Sequence, residues 1–240
     1  MPIIGITSSS YRAGGLPVSG AALWLDADDA TTFTYSSGTT VSQWNDKSGN
    51  GRHFSQSNSS YQPVRNTNTQ NGKAVVTFST DELNATYDWS NSAHTLFLVC
   101  KQTTGGSFQN MFAADANSCF SYGIINSNLF GIFEIAVGFQ NWSQGPTGSN
   151  ADVLSFKSAG RSSGSVTASG WKNGTLMTVN PQTKSIASTT SAASIGAAGN
   201  TIGNEPFLGY FCEIILYPSE LSDTNRQSVE SYLKTKWGTP

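Results

Sequence analysis

The sequence predicts an all-β protein in which two antiparallel β-sheets stack as a sandwich, with one short C-terminal helix. Three observations support this prediction. Short apolar segments recur along the 240 residues, and turns rich in Gly, Asn, Asp and Ser separate them. Asn-Gly pairs at residues 71–72 and 173–174 lie between such segments and are typical of two-residue β-hairpins. Residues 222–238 alone have the apolar spacing of a convincing amphipathic helix.

About twelve strands are expected. Segment 94–101 is apolar nearly throughout, which predicts a strand buried on both faces. Residues 26–34 are expected to form a turn-rich connection, and residues 182–194 a long loop with a marginal strand. The expected strands are 22–25, 40–44, 73–78, 94–101, 111–114, 120–125, 129–133, 136–139, 151–157, 165–171, 176–179, 197–202 and 210–217.

The helix is expected to follow Ser222, whose hydroxyl can cap it, and Asp223 favours its positive N-terminal end. Gly238 supplies the stop. One side is apolar, and its members are Val229, Tyr232, Leu233 and Trp237. Because the chain ends of such sandwiches lie close together, we expect residues 22–25 to run beside residues 210–217.

We expect one sandwich domain over residues 21–240, preceded by a Gly- and Ser-rich N-terminal docking arm over residues 1–20. Ile3, Ile4 and Ile6 give the arm an apolar anchor. The arm is expected to pack on its own domain or on a neighbouring subunit, and the apolar anchor favours the neighbour.

Charged residues make up 12% of the chain, about half of the usual ~25%. The surface is therefore expected to carry mainly hydroxyl and amide groups, which suit contact with neutral polymers such as glycans or packing in an assembly. The 13 Lys and Arg residues form no run, which argues against nucleic acid as a partner. No apolar run is long enough to predict a membrane span.

The N-terminal residues lack the basic leader and apolar core of a signal peptide. The three cysteines, Cys100, Cys119 and Cys212, are an odd count and are interpreted as structural thiols. Both observations favour synthesis in a reducing cytoplasm. A virion protein, assembled in the cell and released by lysis, would reconcile that origin with a lectin-like composition. An extracellular or cell-surface location is the alternative.

Both ends of the chain resemble a known family. Residues 23–27 (Leu-Trp-Leu-Asp-Ala) and 44–51 (Trp-Asn-Asp-Lys-Ser-Gly-Asn-Gly) are similar to the opening of concanavalin A-like lectin/glucanase domains of the laminin-G-like type. Residues 211–217, followed by Leu-Ser-Asp and the helix, resemble the closing segment of these domains. The resemblance covers roughly residues 20–238 and implies a concanavalin A-like jelly roll. Such domains occur in bacterial surface proteins and in phage structural proteins.

Glucanases of this fold carry catalytic carboxylates as Glu-x-Asp-x-x-Glu along one strand, and nothing in this sequence fits that pattern. Glu134 and Glu213 each stand alone among apolar neighbours, so each is expected to face solvent or to be hydrogen-bonded. His53 and His94 are given structural roles because no nucleophile accompanies them. The sequence therefore predicts a non-catalytic protein, with a divergent glycoside hydrolase as the lesser alternative.

The resemblance also implies calcium as the one candidate cofactor, because lectin relatives often hold it through loop carboxylates. The densest acidic group consists of Asp26, Asp28, Asp29 and Asp46. The alternative is that Asp26 and Asp46 form turns and accept backbone N–H bonds. A calcium-dependent lectin module is thus a second functional hypothesis.

Sugar binding requires an exposed aromatic face beside amide or carboxylate groups. Two loop clusters have this chemistry: Asn141, Trp142 and Gln144, and Tyr87, Asp88 and Trp89. The alternative is that these rings pack back onto the sandwich. The remaining tryptophans are expected to pack in the core or on a sheet: Trp24, Trp44, Trp171 and Trp237.

These observations together predict a structural or adhesion protein of a virion, in capsid decoration or in a tail, with weak glycan binding as an added expectation. Its expected partners are other virion proteins, further copies of the chain, and cell-surface or environmental glycans.

Overall fold

The computed structural model describes residues 15–105, 108–114, 120–125, 129–134, 138–146, 150–160, 168–178, 192–197 and 205–240. Residues 67–68, 125, 133–134 and 138–141 are described by their backbone. Within these ranges the chain forms seventeen strands and one α-helix. They are β1 (Leu23–Asp26), β2 (Phe33–Ser37), β3 (Thr40–Trp44), β4 (Phe54–Ser55), β5 (Val64–Gln70), β6 (Lys73–Phe78), β7 (Leu83–Thr86), β8 (His94–Gln102), β9 (Phe108–Ala114), β10 (Phe120–Ile125), β11 (Leu129–Glu134), β12 (Gly138–Asn141), β13 (Asp152–Ser158), β14 (Ala168–Lys172), β15 (Thr175–Met177), β16 (Ala192–Ile195), β17 (Gly209–Tyr217) and α1 (Asp223–Trp237).

Strand pairing arranges the sheet into two layers, and every pairing between these strands is antiparallel. The first layer has the order β15-β14-β13-β8-β17, and the far edge of β17 pairs with β6 at its start and with β1 at its end. The second layer runs β12-β11-β10-β9-β16-β7-β4-β3-β2. Val64 on β5 pairs with Thr40 on β3, and this single paired position links the two layers. The all-β prediction is confirmed.

The core lies between the two layers. Tyr122 on β10 stacks on Phe156 on β13 with ring centroids 4.5 Å apart. Cys100 on β8 meets Met111 on β9, with 3.7 Å between the sulfur atoms. All four side chains are buried, and burial of each side chain of this size stabilises the fold by roughly 1.5–3 kcal/mol. Cys100 and Cys212 are free and buried, as expected for structural thiols.

Helix α1 covers the outer face of the first layer. Ser155 on β13 donates a hydrogen bond to Glu230 on the helix, and Thr95 on β8 donates to the Ser219 carbonyl oxygen just before it. Residues 94–100 of β8 are consequently buried on both faces, which confirms the prediction from its apolar sequence. The predicted ends of the helix are also confirmed, because Ser222 accepts from the Asn225 N–H and Gly238 is left-handed.

The two ends of the chain lie side by side, as expected. Strand β1 pairs with the C-terminal half of β17, and this register places Asp26 opposite Glu213. The Asn-Gly hairpins are confirmed as well. Asn173 and Gly174 have φ values of 51° and 82°, which is the pattern of a type I′ turn.

Four strands have no counterpart in the prediction, namely β2, β4, β5 and β7. Strand β2 begins inside the expected connection 26–34, and Phe33 is its only buried residue. Strand β5 is polar along most of its length. These strands lack the apolar alternation on which the prediction rested, and backbone pairing with neighbours holds them instead.

Several expected features fall outside the described residues. These are Ile3, Ile4 and Ile6 of the arm, Cys119, and residues 198–202 of an expected strand, so docking by the arm stays a prediction. No helix in the described part of the chain is long and apolar enough to cross a membrane.

Candidate functional site

Asp46 organises the loop that follows β3. Its Oδ1 accepts the backbone N–H groups of Trp24 (3.0 Å) and Ser48 (2.8 Å), and its Oδ2 accepts the Ser48 hydroxyl (2.8 Å) and the Arg52 N–H (3.1 Å). The Asp46 N–H donates to Nδ1 of His53 at 3.1 Å, so that this histidine has the expected structural role. The carboxylate therefore ties residues 46–52 to β1, as the turn-forming interpretation requires.

Asp26 and Asp29 are engaged in the same way. Asp26 accepts the backbone N–H of Asp28 at 3.1 Å, and Asp29 accepts the backbone N–H of Thr31 at 3.1 Å. Lys47 bridges their two carboxylates, with Nζ–O distances of 2.9 and 2.8 Å. The hydrogen bonds from Lys47 and Thr31 lower the pKa of Asp29 to about 2.

Asp28 pairs separately with Lys73 at 2.8 Å. The four aspartates are thus occupied by cations or N–H donors of the protein, and Asp26 and Asp29 share Lys47. In the described residues no group of three or more His, Cys, Asp or Glu side chains could hold a metal ion. Calcium binding by this chain stays a prediction, and these four side chains give it no geometric support.

Glu213 lies fully buried on the outer face of β17, beneath helix α1. Its Oε1 accepts Nε1–H of Trp24 at 2.7 Å and the Tyr232 hydroxyl at 3.1 Å. Its Oε2 accepts Nε1–H of Trp237 and Nζ of Lys236, both at 2.7 Å. Burial raises the pKa of Glu213, and the Lys236 ammonium opposes that shift. The expectation that Glu213 is hydrogen-bonded is confirmed.

Lys236 also reaches Asp26 at 2.7 Å, so one ammonium lies between two carboxylates on paired strands. We call Asp26, Lys47, Glu213 and Lys236 the ion cluster. A glycosidase acid pair must face a cleft that admits the substrate. The carboxylates of Asp26 and Glu213 have side-chain exposures of only 7% and 0%, and they are occupied by the protein's own donors.

The other carboxylates weighed from the sequence add no such pair. Asp152 is buried and accepts Nδ2–H of Asn173 at 2.9 Å. The Glu134 side chain and Asp115 lie outside the described positions. Among these carboxylates, those that the structure describes therefore form no acid pair facing a cleft.

A surface cavity of about 540 Å³ opens next to the ion cluster. We call it the loop cavity and define it by Trp24, Lys47, Ser48, Asn50, Arg52 and the segment 16–22. Its wall is partly apolar, through Leu16 and Val18, and Trp24 beside them is 9% exposed. The Lys47 ammonium lies 4.3 Å from the centroid of the Trp24 ring.

The polar rim of the loop cavity is held in place by contacts with segment 16–22. Nδ2 of Asn50 donates to the carbonyl oxygens of Ala21 and Ala22, each at 3.1 Å. Nη1 of Arg52 donates to the same Ala22 oxygen at 2.6 Å and to the Tyr87 hydroxyl at 3.0 Å. The guanidinium carbon lies 3.9 Å from the centroid of the Tyr87 ring. Amide, hydroxyl and guanidinium groups therefore border an aromatic and aliphatic wall.

The two aromatic loop clusters do not lie as sugar stacking requires. Trp89 is buried and donates through Nε1 to the Ala113 carbonyl oxygen at 3.1 Å. Trp142 is buried and stacks on Phe156 with centroids 5.0 Å apart. Both rings pack back onto the sandwich, because the space between the layers accommodates them, and neither presents a free face.

The remaining members of these clusters are spread apart. Tyr87 is half-buried and reaches the loop cavity through Arg52, whereas Asp88 accepts the Asn91 N–H at 3.2 Å in the next turn. Gln144 is half-buried, and its backbone carbonyl oxygen accepts the backbone N–H of Phe130. The side chain of Asn141 lies outside the described positions. A glycan role for these residues stays a prediction. Sequence reasoning missed Asn50 and Arg52, although both lie in or beside the segment 44–51 that it singled out.

The described strands, helix and cavity define a class of protein: an all-β sandwich with a polar cavity between loops on its surface. No protein-family profile matches the sequence, and no curated protein matches it.

Solved structures do resemble the fold. Domain 4 of AbnA, a GH43 extracellular arabinanase from Geobacillus stearothermophilus in complex with arabinotriose, aligns with a TM-score of 0.60 and 14% identity over 88% of this chain and 98% of that domain. The Trypanosoma rangeli sialidase in complex with the inhibitor DANA aligns with a TM-score of 0.56 and 13% identity over 91% of this chain. This chain spans 34% of the sialidase's length. At these identities the likeness shows the fold.

Proposed function

We propose that this chain is a non-catalytic carbohydrate-binding β-sandwich and that it holds a saccharide in the loop cavity. The observation that carries the proposal is the cavity itself. Its volume of about 540 Å³ lies inside the range of roughly 300–1,000 Å³ that small-ligand sites occupy. Its aliphatic wall of Leu16 and Val18 suits the C–H faces of a sugar ring, and the amide and guanidinium groups at its rim suit the hydroxyls.

The structural comparisons support the ligand class. The AbnA domain covers nearly the same extent of sandwich as this chain, and it was solved with arabinotriose bound. The sialidase was solved in complex with the inhibitor DANA. Both are distant, and their ligands motivate the test described below.

We further propose that the chain belongs among the concanavalin A-like sandwiches of the laminin-G-like type. The pairing of β1 with β17 joins the two end motifs that resemble that family, and helix α1 directly follows the last strand as it does there. The central strands add support only at the level of their antiparallel pattern.

The non-catalytic part of the proposal rests on the ion cluster. Asp26 and Glu213 are the acids that strand pairing brings together, and Lys236 occupies the position between them. A general acid or nucleophile needs access to the scissile bond, and these two buried carboxylates offer none.

A place in a virion, with other virion proteins and further copies as partners, is retained as a proposal from the composition and from the family resemblance of the two chain ends. The low charged fraction of 12% supports it, because such surfaces pack well in assemblies. The first check is the oligomeric state of the full chain by light scattering after size-exclusion chromatography.

The decisive test of the function uses the full chain on an array of neutral and acidic oligosaccharides, followed by calorimetric titration of the saccharides it retains. Asn50→Ala removes a rim amide whose Oδ1 has no protein partner in the described residues, and it should weaken binding about tenfold. Asn66→Ala is the matched control. Asn66 on β5 donates to the hydroxyl of Thr77 on β6, away from the cavity. Retention of no saccharide would reject the proposal, and so would equal binding by the Asn50 variant.

A further inference from the structure

The guanidinium of Arg52 has hydrogen-bonding capacity that the protein leaves unused. Its Nη1 donates to Ala22 and Tyr87, whereas its Nε and Nη2 donate to nothing in the described residues. It also forms no salt bridge with any described carboxylate. Five other cations in the described part of the chain have carboxylate partners: Lys47, Lys73, Lys157, Arg226 and Lys236.

The position of Arg52 is fixed before any ligand arrives. The guanidinium carbon lies 3.9 Å from the centroid of the Tyr87 ring, and the Ala22 carbonyl oxygen and the Tyr87 hydroxyl both accept from Nη1. Arg52 lines the loop cavity. Its backbone N–H donates to Oδ2 of Asp46, and this bond anchors the residue to the Asp46 loop. A guanidinium fixed in this way presents two parallel N–H donors, which match the two oxygens of a carboxylate.

The acids near the loop cavity do not compete for these donors. Asp46 accepts four hydrogen bonds from its own loop and from Trp24. Asp26 and Asp29 are paired with Lys47, and Asp26 is paired with Lys236 as well. Lys47 also lines the cavity, but its ammonium is committed to Asp26 and Asp29, which leaves Arg52 as the cation for a ligand there.

We propose that the loop cavity selects acidic saccharides, and that Arg52 binds their carboxylate through its Nε and Nη2 edge. This inference rests on the proposed function and narrows its ligand to sugars such as uronates. A neutral sugar can satisfy the same donors through hydroxyls, but charge-assisted bidentate bonds are roughly twice as strong. The preference is therefore measured as the difference in affinity between an acidic saccharide and its neutral counterpart.

The experiment measures the affinity of the full chain for pairs of oligosaccharides that differ only in a carboxylate in place of a hydroxymethyl group. One pair is trigalacturonate and its galactose counterpart, and the corresponding glucuronate and glucose pair is the second. We expect the acidic member of a pair to bind about tenfold more tightly and to lose that advantage at high salt. A third arm uses the galactose oligomer sulfated at O6, which carries an anion of a different shape at the same place. Binding of the sulfate ester as tight as that of the uronate would overturn the assignment to a carboxylate.

The matched variants are Arg52→Lys and Arg65→Lys. Arg65 is the natural control, because it lies 5.2 Å from the Phe33 ring and donates to the carbonyl oxygens of Ala27 and Asp28, outside the cavity. Arg52→Lys should weaken binding of the acidic member about tenfold, since an ammonium lacks the planar fork. Binding of the neutral member should weaken by a smaller factor, since its hydroxyls use the same donors, so the acidic preference should disappear. Arg65→Lys should change neither affinity.

The outcomes separate the two proposals. Equal affinity for acidic and neutral members, or an acidic preference that survives Arg52→Lys, overturns this inference, while Asn50-dependent binding of neutral sugars leaves the proposed function standing. Failure to bind any saccharide overturns both.

Discussion

The ion cluster and the loop cavity share Trp24 as a common wall, yet they use charge in opposite ways. The indole N–H of Trp24 donates to Glu213 in the cluster, and its ring lies under Lys47 at the cavity. In the cluster every carboxylate has a cation and further donors within hydrogen-bonding distance. In the cavity, Arg52 retains unused donors beside open space. A charged group indicates binding where its hydrogen-bonding capacity is unmet, and indicates a structural role where it is met.

The contrast also distinguishes a structural pair of carboxylates from a catalytic pair. Asp26 and Glu213 lie opposite each other on paired strands, and each carboxylate lies 2.7 Å from the Lys236 ammonium. Burial raises the pKa of Glu213, as it does in many catalytic acids. The position of Lys236 between them and their lack of exposure favour a structural role. A perturbed pKa alone would have pointed to the wrong place.

The largest effect is expected from Lys236→Met, which leaves two buried carboxylates facing each other without their shared cation. Breaking a buried ion pair from one side costs about 3–5 kcal/mol. The free energy of unfolding from urea titration should fall by that amount. Lys234→Met is the control, because Lys234 makes only a 3.3 Å contact with the Asn173 carbonyl oxygen, and it should cost under about 1 kcal/mol. Equal losses for the two variants would show that the cluster contributes no special stability.

A third polar region, around His94, is closed like the ion cluster but carries no charge. Nδ1 lies 2.9 Å from the Ser92 carbonyl oxygen and must donate to it, so Nε2 accepts the Tyr122 hydroxyl at 2.9 Å. Burial lowers the pKa of His94 from 6.5 to about 4. The unfolded chain therefore binds a proton more readily than the folded one between these two values.

Stability should accordingly be complete above pH 6.5 and should fall as the pH drops towards 4, by about 3 kcal/mol in total. Other acids titrate in the same window, so the informative quantity is the difference between the native chain and His94→Gln. That difference in unfolding free energy should change with pH between 7 and 4. A constant difference across this range would rule out a buried neutral His94.

The sequence predicted the parts of the fold that local chemistry determines. Asn173-Gly174 can adopt positive φ at both positions, and Ser222 can accept a backbone N–H, whatever surrounds them. Strand β8 was recognisable because an apolar strand of that length must be covered on both sides. Strand β5 could not be found in this way, because its polar residues contain no sign of the neighbour to which it pairs.

The site was harder to predict, because it depends on contacts between distant segments. The rings of Trp89 and Trp142 are chemically suitable for sugar stacking, and only packing between the layers decides that they are buried. Arg52 looked ordinary because its significance comes from two features that only the structure shows, its place in the wall of the cavity and its lack of a described carboxylate partner. The pairing of β1 with β17 was expected. The sequence did not indicate that this pairing places Asp26 and Glu213 around a shared Lys236.

A smaller effect should come from Trp24→Phe, which removes the indole N–H from the ion cluster but keeps an aromatic ring under Lys47. Glu213 retains its bonds from Tyr232, Trp237 and Lys236, so the expected loss is about 1–2 kcal/mol. Trp171→Phe serves as the control. The Trp171 ring contacts the Arg226 guanidinium at 3.9 Å and no member of the ion cluster, so this substitution should lower the free energy of unfolding by less. Saccharide affinity of the Trp24 variant, measured by calorimetry, should stay within about threefold. A large loss of affinity without a loss of stability would assign the indole N–H to the ligand.

The smallest effect on stability is expected from Arg52→Lys, although it removes the side chain to which the cavity owes its proposed selectivity. Arg52 is only partly buried, and water can replace the bonds that Nη1 makes to Ala22 and Tyr87. The free energy of unfolding should change by no more than about 1 kcal/mol in the urea titration that is used for Lys236→Met. A loss as large as that of the Lys236 variant would mean that Arg52 mainly holds segment 16–22 in place. The cavity would then resemble the ion cluster, with its charge committed to the fold, and the contrast between the two regions would no longer indicate where a ligand binds.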